Sequence, residues 1–143
     1  MKLIDTNVLI FAANKQSPNH GRVRRWCIEA TASGEPIGLP WIAALGFLRI
    51  STSPHVFSPP LSMAEALSYL RDWLAIPSVK IVDDPPEHWE WLANVLIDTG
   101  WLGKKVTDAS LASLALCQNA SLVSCDQDFS RVKGLSWIDP LKD

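Results

Sequence analysis

The stretch Leu3–Leu9, LIDTNVL, decides the architecture that we predict for this chain. Its first apolar residues lead into Asp5, and a second apolar run begins after two further polar residues. We therefore expect a short buried strand over Lys2–Asp5 that turns at once into a helix over Thr6–Asn14. Thr6 is the candidate N-cap of that helix. The strand ends at its acid, so a carboxylate is expected at the end of the first strand.

Hydrophobic periodicity predicts that strands and helices alternate along the rest of the chain. The further strands are expected at Pro36–Leu39, Val79–Val82, Ser121–Cys125 and, as a last candidate, Leu135–Ile138. The further helices are expected at Pro18–Ser33, Trp41–Ser51, Ser62–Ile76, Pro86–Thr99 and Thr107–Asn119. Short apolar strands between helices indicate a parallel sheet that is covered on both faces. The expected fold class is α/β, with three layers and four to five central strands.

Composition restricts the classes of protein to which the chain can belong. Its 143 residues, 48% apolar and 20% charged, fit one domain over residues 1–143. No apolar run approaches the roughly 20 residues that span a bilayer, and the three cysteines lack metal or disulfide spacing. We therefore expect a soluble, cytoplasmic protein. A formal net charge of −2 argues against a protein that coats nucleic acid through bulk charge, although an enzyme that acts on nucleic acid stays open.

Four acids lie where such a sheet is expected to carry its chemistry. Asp5 and Asp126 follow strands, Asp108 begins a helix, and Asp128 comes two residues after Asp126. Crevices lie beyond the carboxyl ends of parallel strands, so the acids converge if the first and fourth strands are neighbours. Taken singly, each acid is explained as a cap or as a charge that complements a helix dipole. Taken together they would repel one another unless a cation relieved them. Carboxylates suit Mg²⁺ or Mn²⁺, which promote phosphodiester hydrolysis.

Four motifs in their order resemble those of a PIN-domain ribonuclease of the VapC toxin type. They are Leu3–Leu9 (LIDTNVL), Leu39–Thr52 (LPWIAALGFLRIST), Val106–Ala115 (VTDASLASLA) and Leu122–Phe129 (LVSCDQDF). The resemblance runs almost from end to end of the chain. It implies a PIN-like fold and a metal-dependent endoribonuclease that commonly dimerises. Most members are toxins that a cognate VapB antitoxin holds inactive.

The resemblance also implies roles for single positions. Asp5, Asp108 and Asp126 match the family's metal-binding acids, and Asp128 matches a further, less uniform acid of the same site. The matches to supporting positions are Thr6 and Asn7, which orient the first acid, and Ser124, a hydroxyl residue beside the third. On a strand, Ser124 would point to the same side as Asp126.

One position departs from the family pattern. Many members carry a Glu in the helix after the second strand, and the frame of Trp41–Arg49 places Gly46 there. A related set within the VapC type, with the Leu-Pro-Trp…Phe-Leu-Arg pattern found here, also lacks this Glu. Because a glycine cannot bind metal, Asp128 is expected to carry more of the ligand load. Gly46 also leaves open an alternative function, a PIN-like binding module that has lost catalysis.

Basic residues near the acids are candidates for contacts with nucleic acid. Lys104, Lys105 and Arg131 are predicted to contact RNA phosphates, although a solvated surface explains them equally well. Arg49 lies in the same helix as Gly46, where it is expected either to reach the crevice or to pair with an acid there.

The tryptophans are expected mainly in the core. Trp26, Trp73 and Trp89 fall on apolar helical faces and are predicted to be buried. Trp91 falls off the apolar stripe of its helix, so we expect it to be exposed and to anchor an interface.

A third class of function is a phosphoacceptor domain of the receiver type, which also gathers acids at strand ends. Such a domain needs an early acid pair, a mid-chain acid at a strand end and a later lysine. Here the pair Asp83-Asp84 lies mid-chain before two prolines, and no lysine follows at a strand end. The sequence therefore disfavours this function.

Overall fold

The computed structural model describes residues 1–142 and places five parallel strands between two layers of helices. In this part of the chain the strands are β1 Lys2–Ile4, β2 Ile37–Pro40, β3 Val79–Val82, β4 Ser121–Val123 and β5 Ser136–Ile138. The helices are α1 Thr6–Ala13, α2 His20–Ala32, α3 Trp41–Ser51, α4 Met63–Leu74, α5 His88–Thr99 and α6 Lys105–Cys117, with a 3₁₀ turn at Gln127–Arg131. The predicted α/β class with three layers is confirmed, and the sheet has the upper number of strands expected.

The order of the strands brings the two acid-bearing strand ends together. The sheet runs β3-β2-β1-β4-β5, so β1 lies at its centre between β2 and β4. Ile4 is opposite Val123 in the parallel β1–β4 pair, which confirms that the first and fourth strands are neighbours. This order differs from the 2-1-3-4-5 order of receiver domains, so the phosphoacceptor reading of the acids is wrong.

Each face of the sheet has its own hydrophobic core. Successive residues of β1 point to opposite faces, so Ile4 packs among side chains of α1 to α4, whereas Leu3 packs among side chains of α5 and α6. Both residues are fully buried. The second core includes five side chains of α6. This helix carries Asp108, so tight packing fixes the position of that acid.

A buried polar contact also fixes α6 against α5. His88 is buried, and its Nε2 lies 2.7 Å from Ser113 Oγ and 3.0 Å from the Ser110 carbonyl oxygen. Its Nδ1 lies 3.6 Å from a carboxylate oxygen of Asp84. The histidine thus connects the start of α5 to the middle of α6. Since Ser113 is fully buried, this arrangement is structural.

The boundaries at the acids differ from the predicted ones. β1 ends at Ile4 because the Asp5 carboxylate accepts a hydrogen bond from Thr6 N and caps α1, so the assignment of Thr6 as the cap was wrong. β4 ends at Val123, so Ser124 does not lie on a strand and the predicted reason for its orientation was also wrong. α6 begins at Lys105, two residues earlier than expected. The other boundaries lie within two residues of the predicted ones.

Local signals explain several helix ends. Ser62 Oγ accepts a hydrogen bond from Glu65 N at 3.1 Å, and Ser62 N donates to Glu65 Oε1 at 3.0 Å, which is a capping box at the start of α4. Gly100 ends α5 with a left-handed backbone, φ 71°. Such a conformation is open to glycine because it lacks a Cβ.

The tryptophans divide between core and surface differently from the prediction. Trp73 is buried, and Trp26 is partly buried against the first core. Trp89 is 70% exposed, so its predicted burial was wrong. The reason is that α5 packs through His88 and Val95, which place Trp89 outside the contact with α6. Trp91 is exposed as predicted.

The cysteines carry no cross-link. All three are free thiols, with Cys27 buried and Cys117 and Cys125 half-buried. No helix among residues 1–142 is long and apolar enough to cross a bilayer.

Candidate active site

Asp5 and the segment after β4 lie side by side at the carboxyl edge of the sheet. Asp5 follows β1 directly, and its backbone N–H donates to the Val123 carbonyl at 3.0 Å. This contact continues the ladder between β1 and β4 by one residue. The segment after β4, which carries Ser124 and Asp126, therefore leaves the sheet beside Asp5.

Asp5 is held on both carboxylate oxygens. Oδ1 accepts from Thr6 N at 2.6 Å, while Oδ2 accepts from Ser124 Oγ at 2.7 Å and from Asn7 Nδ2 at 3.3 Å. Asn7 also accepts from Cys125 N at 3.1 Å, which ties the segment after β4 to α1. Ser124 Oγ in turn accepts from Asp126 N at 3.1 Å. The predicted supporting residues thus contact Asp5 directly, although Thr6 does so through its backbone.

Burial dominates the ionisation of Asp5. The residue is 6% exposed, and loss of hydration raises its pKa to about 6 from the ordinary 3.8. The hydrogen bonds from Ser124 and Thr6 oppose this shift, whereas the charges of Asp108 and Asp126 add to it. Asp5 therefore lies within electrostatic reach of two further acids of the predicted set.

The three other acids meet at one lysine. Lys105 Nζ lies 3.3 Å from Asp108 Oδ2 and 3.4 Å from Asp126 Oδ2, and it pairs directly with Asp128 Oδ2. The ion pair lowers the pKa of Asp128, while partial burial raises the pKa of Asp108. Among residues 1–142, no three His, Cys, Asp or Glu side chains are gathered as a ready metal-binding group. The acids converge instead on the ammonium of Lys105.

The three acids reach this point from two elements, α6 and the 3₁₀ turn with its cap. Asp108 lies in the first turn of α6, and Asp126 caps the 3₁₀ turn by accepting from Asp128 N at 2.9 Å. The structural explanations of these acids as a first-turn charge and a cap therefore hold alongside their convergence. A cap leaves the second oxygen of Asp126 available for the lysine.

A crevice of about 610 Å³ opens beside Asp5 and Asp108. Its walls come from α1, α3 and the start of α6, and they include Gly46, Arg49 and Lys104. Arg49 makes no ion pair among the described residues, so of the two expectations for it the structure favours the crevice. Lys104 also reaches the crevice. Arg131 lies outside these walls, near enough to Asp128 to lower its pKa slightly.

The close approach of α1 and α3 accounts for Gly46. A Cβ at this position would lie 2.6 Å from Thr6 Oγ1 and 3.2 Å from Thr6 Cγ2. Thr6 Oγ1 donates to the Ala43 carbonyl at 3.1 Å, so it is not free to rotate away without loss of that bond. The side chain of Thr6 therefore fills the space in which a larger residue at position 46 would begin.

Gly46→Ala is expected to destabilise the protein by about 1–3 kcal/mol through overpacking. Helix propensity alone would make Gly46→Ala stabilising by about 1 kcal/mol. A loss of stability would therefore indicate the steric contact. Urea unfolding of Gly46→Ala measures the effect, and the same change made on Thr6→Ala supplies the control. In that background the added methyl group is expected to be neutral or stabilising. An equal cost in both backgrounds would show that Thr6 is not the obstacle.

The ionisation of Asp5 gives a pH dependence that can be tested. A buried acid with a raised pKa binds its proton more tightly in the folded state, so its contribution to stability is full below pH 3.8 and is lost as the pH rises through about 6. The loss is at most about 3 kcal/mol. Unfolding in EDTA between pH 4 and 7 is expected to show this decline in the wild type and a flatter profile in Asp5→Asn. Parallel profiles would mean that Asp5 does not titrate in this range.

Comparison with known proteins places the chain in a family. The family model named PIN domain matches residues 2–135. The chain belongs to the PIN domain family. The predicted resemblance is thereby confirmed over nearly the whole length.

Relatives and solved structures agree with this assignment. Ribonuclease VapC37 of Mycobacterium tuberculosis is 38% identical over 140 residues, covering 98% of this chain and 97% of the relative. Ribonuclease VapC33 of the same species is 35% identical over 143 residues, covering all of both chains. VapBC2 of Rickettsia felis, bound to a DNA fragment from its promoter, has a chain that superposes with a TM-score of 0.69 at 20% identity, covering 96% and 97% of the two chains. VapC20 of M. tuberculosis, a toxin that cleaves the sarcin-ricin loop, gives 0.66 at 14% identity, covering 91% and 93%. At these identities the two structures support the fold.

The sequence did not indicate how Lys105 is used. Its predicted role was contact with RNA phosphate, whereas the structure places it among three acids. One signal was present, because Lys105 and Asp108 are three residues apart at the start of a helix and can pair. The contacts with Asp126 and Asp128 depend on the sheet order, which no local pattern specifies.

Proposed function

We propose that this protein is a metal-dependent endoribonuclease of the VapC kind, the toxin half of a toxin–antitoxin pair. The observation that carries the proposal is the convergence of Asp108, Asp126 and Asp128 on Lys105. Asp5 lies within electrostatic reach of Asp108 and Asp126, and it lines an open crevice together with Asp108. It is supported by full-length relatives that are named ribonucleases. The alternative, a binding module without catalysis, rested on Gly46. Steric contact with Thr6 explains that glycine without any loss of activity.

The residues present fit a hard divalent cation. Asp5, Asp108 and Asp126 would hold Mg²⁺ or Mn²⁺, with Asp128 as a further oxygen ligand. The carboxylates of Asp108, Asp126 and Asp128 already surround one positive charge, the Lys105 ammonium, which stands in for a divalent ion. When bound, such an ion orients a water molecule, promotes its ionisation and neutralises charge on the phosphate.

The chain's own side chains prepare the site for this chemistry. Ser124 and Asn7 donate to Asp5 and fix the direction of its carboxylate. Lys104 and Arg49 line the crevice, where each would contact a phosphate of the RNA backbone. The buried position of Asp5 keeps bulk water away from the charged group, which strengthens its interaction with a cation.

The direct test is cleavage of RNA by the purified protein. We expect discrete cuts in the presence of Mg²⁺ or Mn²⁺ and none in EDTA, mapped by sequencing the new 5′ ends in total bacterial RNA. Intact RNA under every metal condition would favour the binding module. An RNA substrate and a VapB-type partner would support a cytoplasmic site of action.

Metal binding is expected to raise the melting temperature of the protein. An ion that binds only the folded state stabilises it by mass action, by about 2.7 kcal/mol at 100 times its dissociation constant. Thermal melts with increasing Mn²⁺ measure the shift, and the Asp5→Asn/Asp126→Asn double variant is the control. An unchanged shift in the double variant would place the ion elsewhere.

The proposed assembly is a homodimer that also binds its antitoxin. Trp89 and Ile97 on α5 are 70% and 87% exposed, so this helix offers apolar surface for such an assembly. Light scattering of the toxin alone and of the complex reads the two masses directly.

A further inference from the structure

Lys105 lies at a helix end where a positive charge is unfavourable. It is the first residue of α6, where the helix dipole is positive and a cation is destabilising. No side-chain hydrogen bond caps this helix end. The compensation comes from the acids, since Asp108 in the same helix and the pair Asp126 and Asp128 after β4 bring three carboxylates to the one ammonium.

An aromatic ring also lies close to the lysine. Its Nζ lies 5.6 Å from the centre of the Trp101 ring, and Trp101 is 6% exposed. A cation over an aromatic face is attracted to it. The ammonium therefore lies near both a buried ring and the acid cluster, and its side chain stays 34% exposed to solvent.

An ammonium and a metal ion compete for the same carboxylate oxygens. Mg²⁺ needs oxygen ligands at about 2.0–2.1 Å, and an ammonium has no lone pair with which to become one. Two positive charges a few ångströms apart also repel each other. Because Lys105 has a flexible four-carbon stem, it can move when the acids turn to a metal ion.

We propose that Lys105 is the built-in counter-ion of the acid cluster, which competes with the divalent ion for Asp108, Asp126 and Asp128. On metal binding the ammonium leaves the carboxylates and becomes a contact for the RNA phosphate, one turn from Asp108. This inference rests on the proposed function for its second step only. The first step, competition for the acids, rests on the proposed metal site but needs no RNA and no catalytic activity.

Metal affinity tests the competition. We expect Lys105→Gln to bind Mn²⁺ about tenfold more tightly than the wild type in calorimetric titration, because several partly exposed ion pairs no longer have to be broken. Lys105→Arg keeps the charge and is expected to bind as the wild type does. Lys104→Gln is the matched control, since it removes the same charge from the neighbouring residue. The Lys104 side chain lines the crevice but does not pair with the acids. Equal affinity in Lys105→Gln and wild type, or an equal gain in Lys104→Gln, would overturn the proposal.

Chemical labelling gives a second readout that needs no variant to fold. Reductive methylation followed by mass spectrometry reports the accessibility of each lysine in the wild type. Saturating Mg²⁺ is expected to raise the labelling of Lys105 severalfold and to leave that of Lys104 unchanged. Unchanged or reduced labelling of Lys105 would show that it stays on the acids and would refute the displacement.

RNA cleavage separates this inference from the proposed function. Lys105→Gln is expected to raise the KM for RNA while its metal affinity increases, a combination that a merely structural lysine would not give. If the wild type cleaves RNA and Lys105→Gln binds Mn²⁺ no more tightly, the counter-ion role fails and the ribonuclease stands. If the wild type does not cleave RNA but the competition is observed, the counter-ion role stands and the ribonuclease function fails.

Discussion

Asp5→Asn is expected to reduce RNA cleavage by at least about 100-fold and to leave the protein folded. Changes to residues that merely support a metal ligand already cost 10–100-fold, so loss of a ligand should exceed that range. Asparagine keeps the shape of the side chain but removes the charge that attracts the cation. The substitution also removes a buried carboxylate whose pKa is raised by burial, so the metal-free protein should be no less stable at neutral pH. Initial cleavage rates and circular dichroism measure the two effects.

A matched control for this experiment is Asp72→Asn. Asp72 is an exposed acid of α4, on the face of the sheet opposite α6, and it has no contact with the site. Its variant is expected to cleave at the wild-type rate. Near-normal cleavage by purified Asp5→Asn would remove Asp5 from the ligand set and with it the central element of the proposed site.

The fold was largely predictable because its signals are local. The bounds of Trp41–Ser51 were predicted correctly because this helix starts after a proline and is mostly apolar. Those of Val79–Val82 were predicted correctly because three of its four residues are β-branched. The predicted end of β1 was wrong because a side-chain hydrogen bond, and not the apolar pattern, sets that boundary. Asp5 ends β1 by capping α1, and the periodicity of apolar residues carries no information about such a bond.

The sequence predicted that these acids would lie near one another, but it did not predict what surrounds them. Asp5 and Asp126 follow apolar strands, and a parallel sheet brings such positions to one edge. The contact between Gly46 and Thr6, and the position of Lys105 among the acids, depend on distances between elements far apart in sequence. Only the packed structure sets those distances. The predicted burial of Trp89 was wrong for the same reason, because α5 packs against α6 through His88 and Val95.

The crevice has the surface that an inhibitory partner would need. Trp41 is 52% exposed with its indole nitrogen donating to Asp83 at 2.8 Å, and Leu45, one turn further on α3, is 58% exposed and lines the crevice. Leu45 shares the crevice with the carboxylates of Asp5 and Asp108. A partner that covers them and carries a basic residue would bury apolar area and pair its charge with the acids.

We therefore expect a VapB-type antitoxin to inhibit by placing a basic side chain among the acids, so that the complex loses affinity for both metal and RNA. An arginine suits this place because its guanidinium pairs with a carboxylate through two hydrogen bonds. Mn²⁺ titrated into free toxin and into the complex is expected to bind at least about 100-fold more weakly to the complex, a difference of about 2.7 kcal/mol. Leu45→Glu should weaken the complex, whereas Ile28→Glu, which adds the same charge on α2, should not. Equal manganese affinity in the two samples, with cleavage still blocked, would mean that inhibition acts away from the acids.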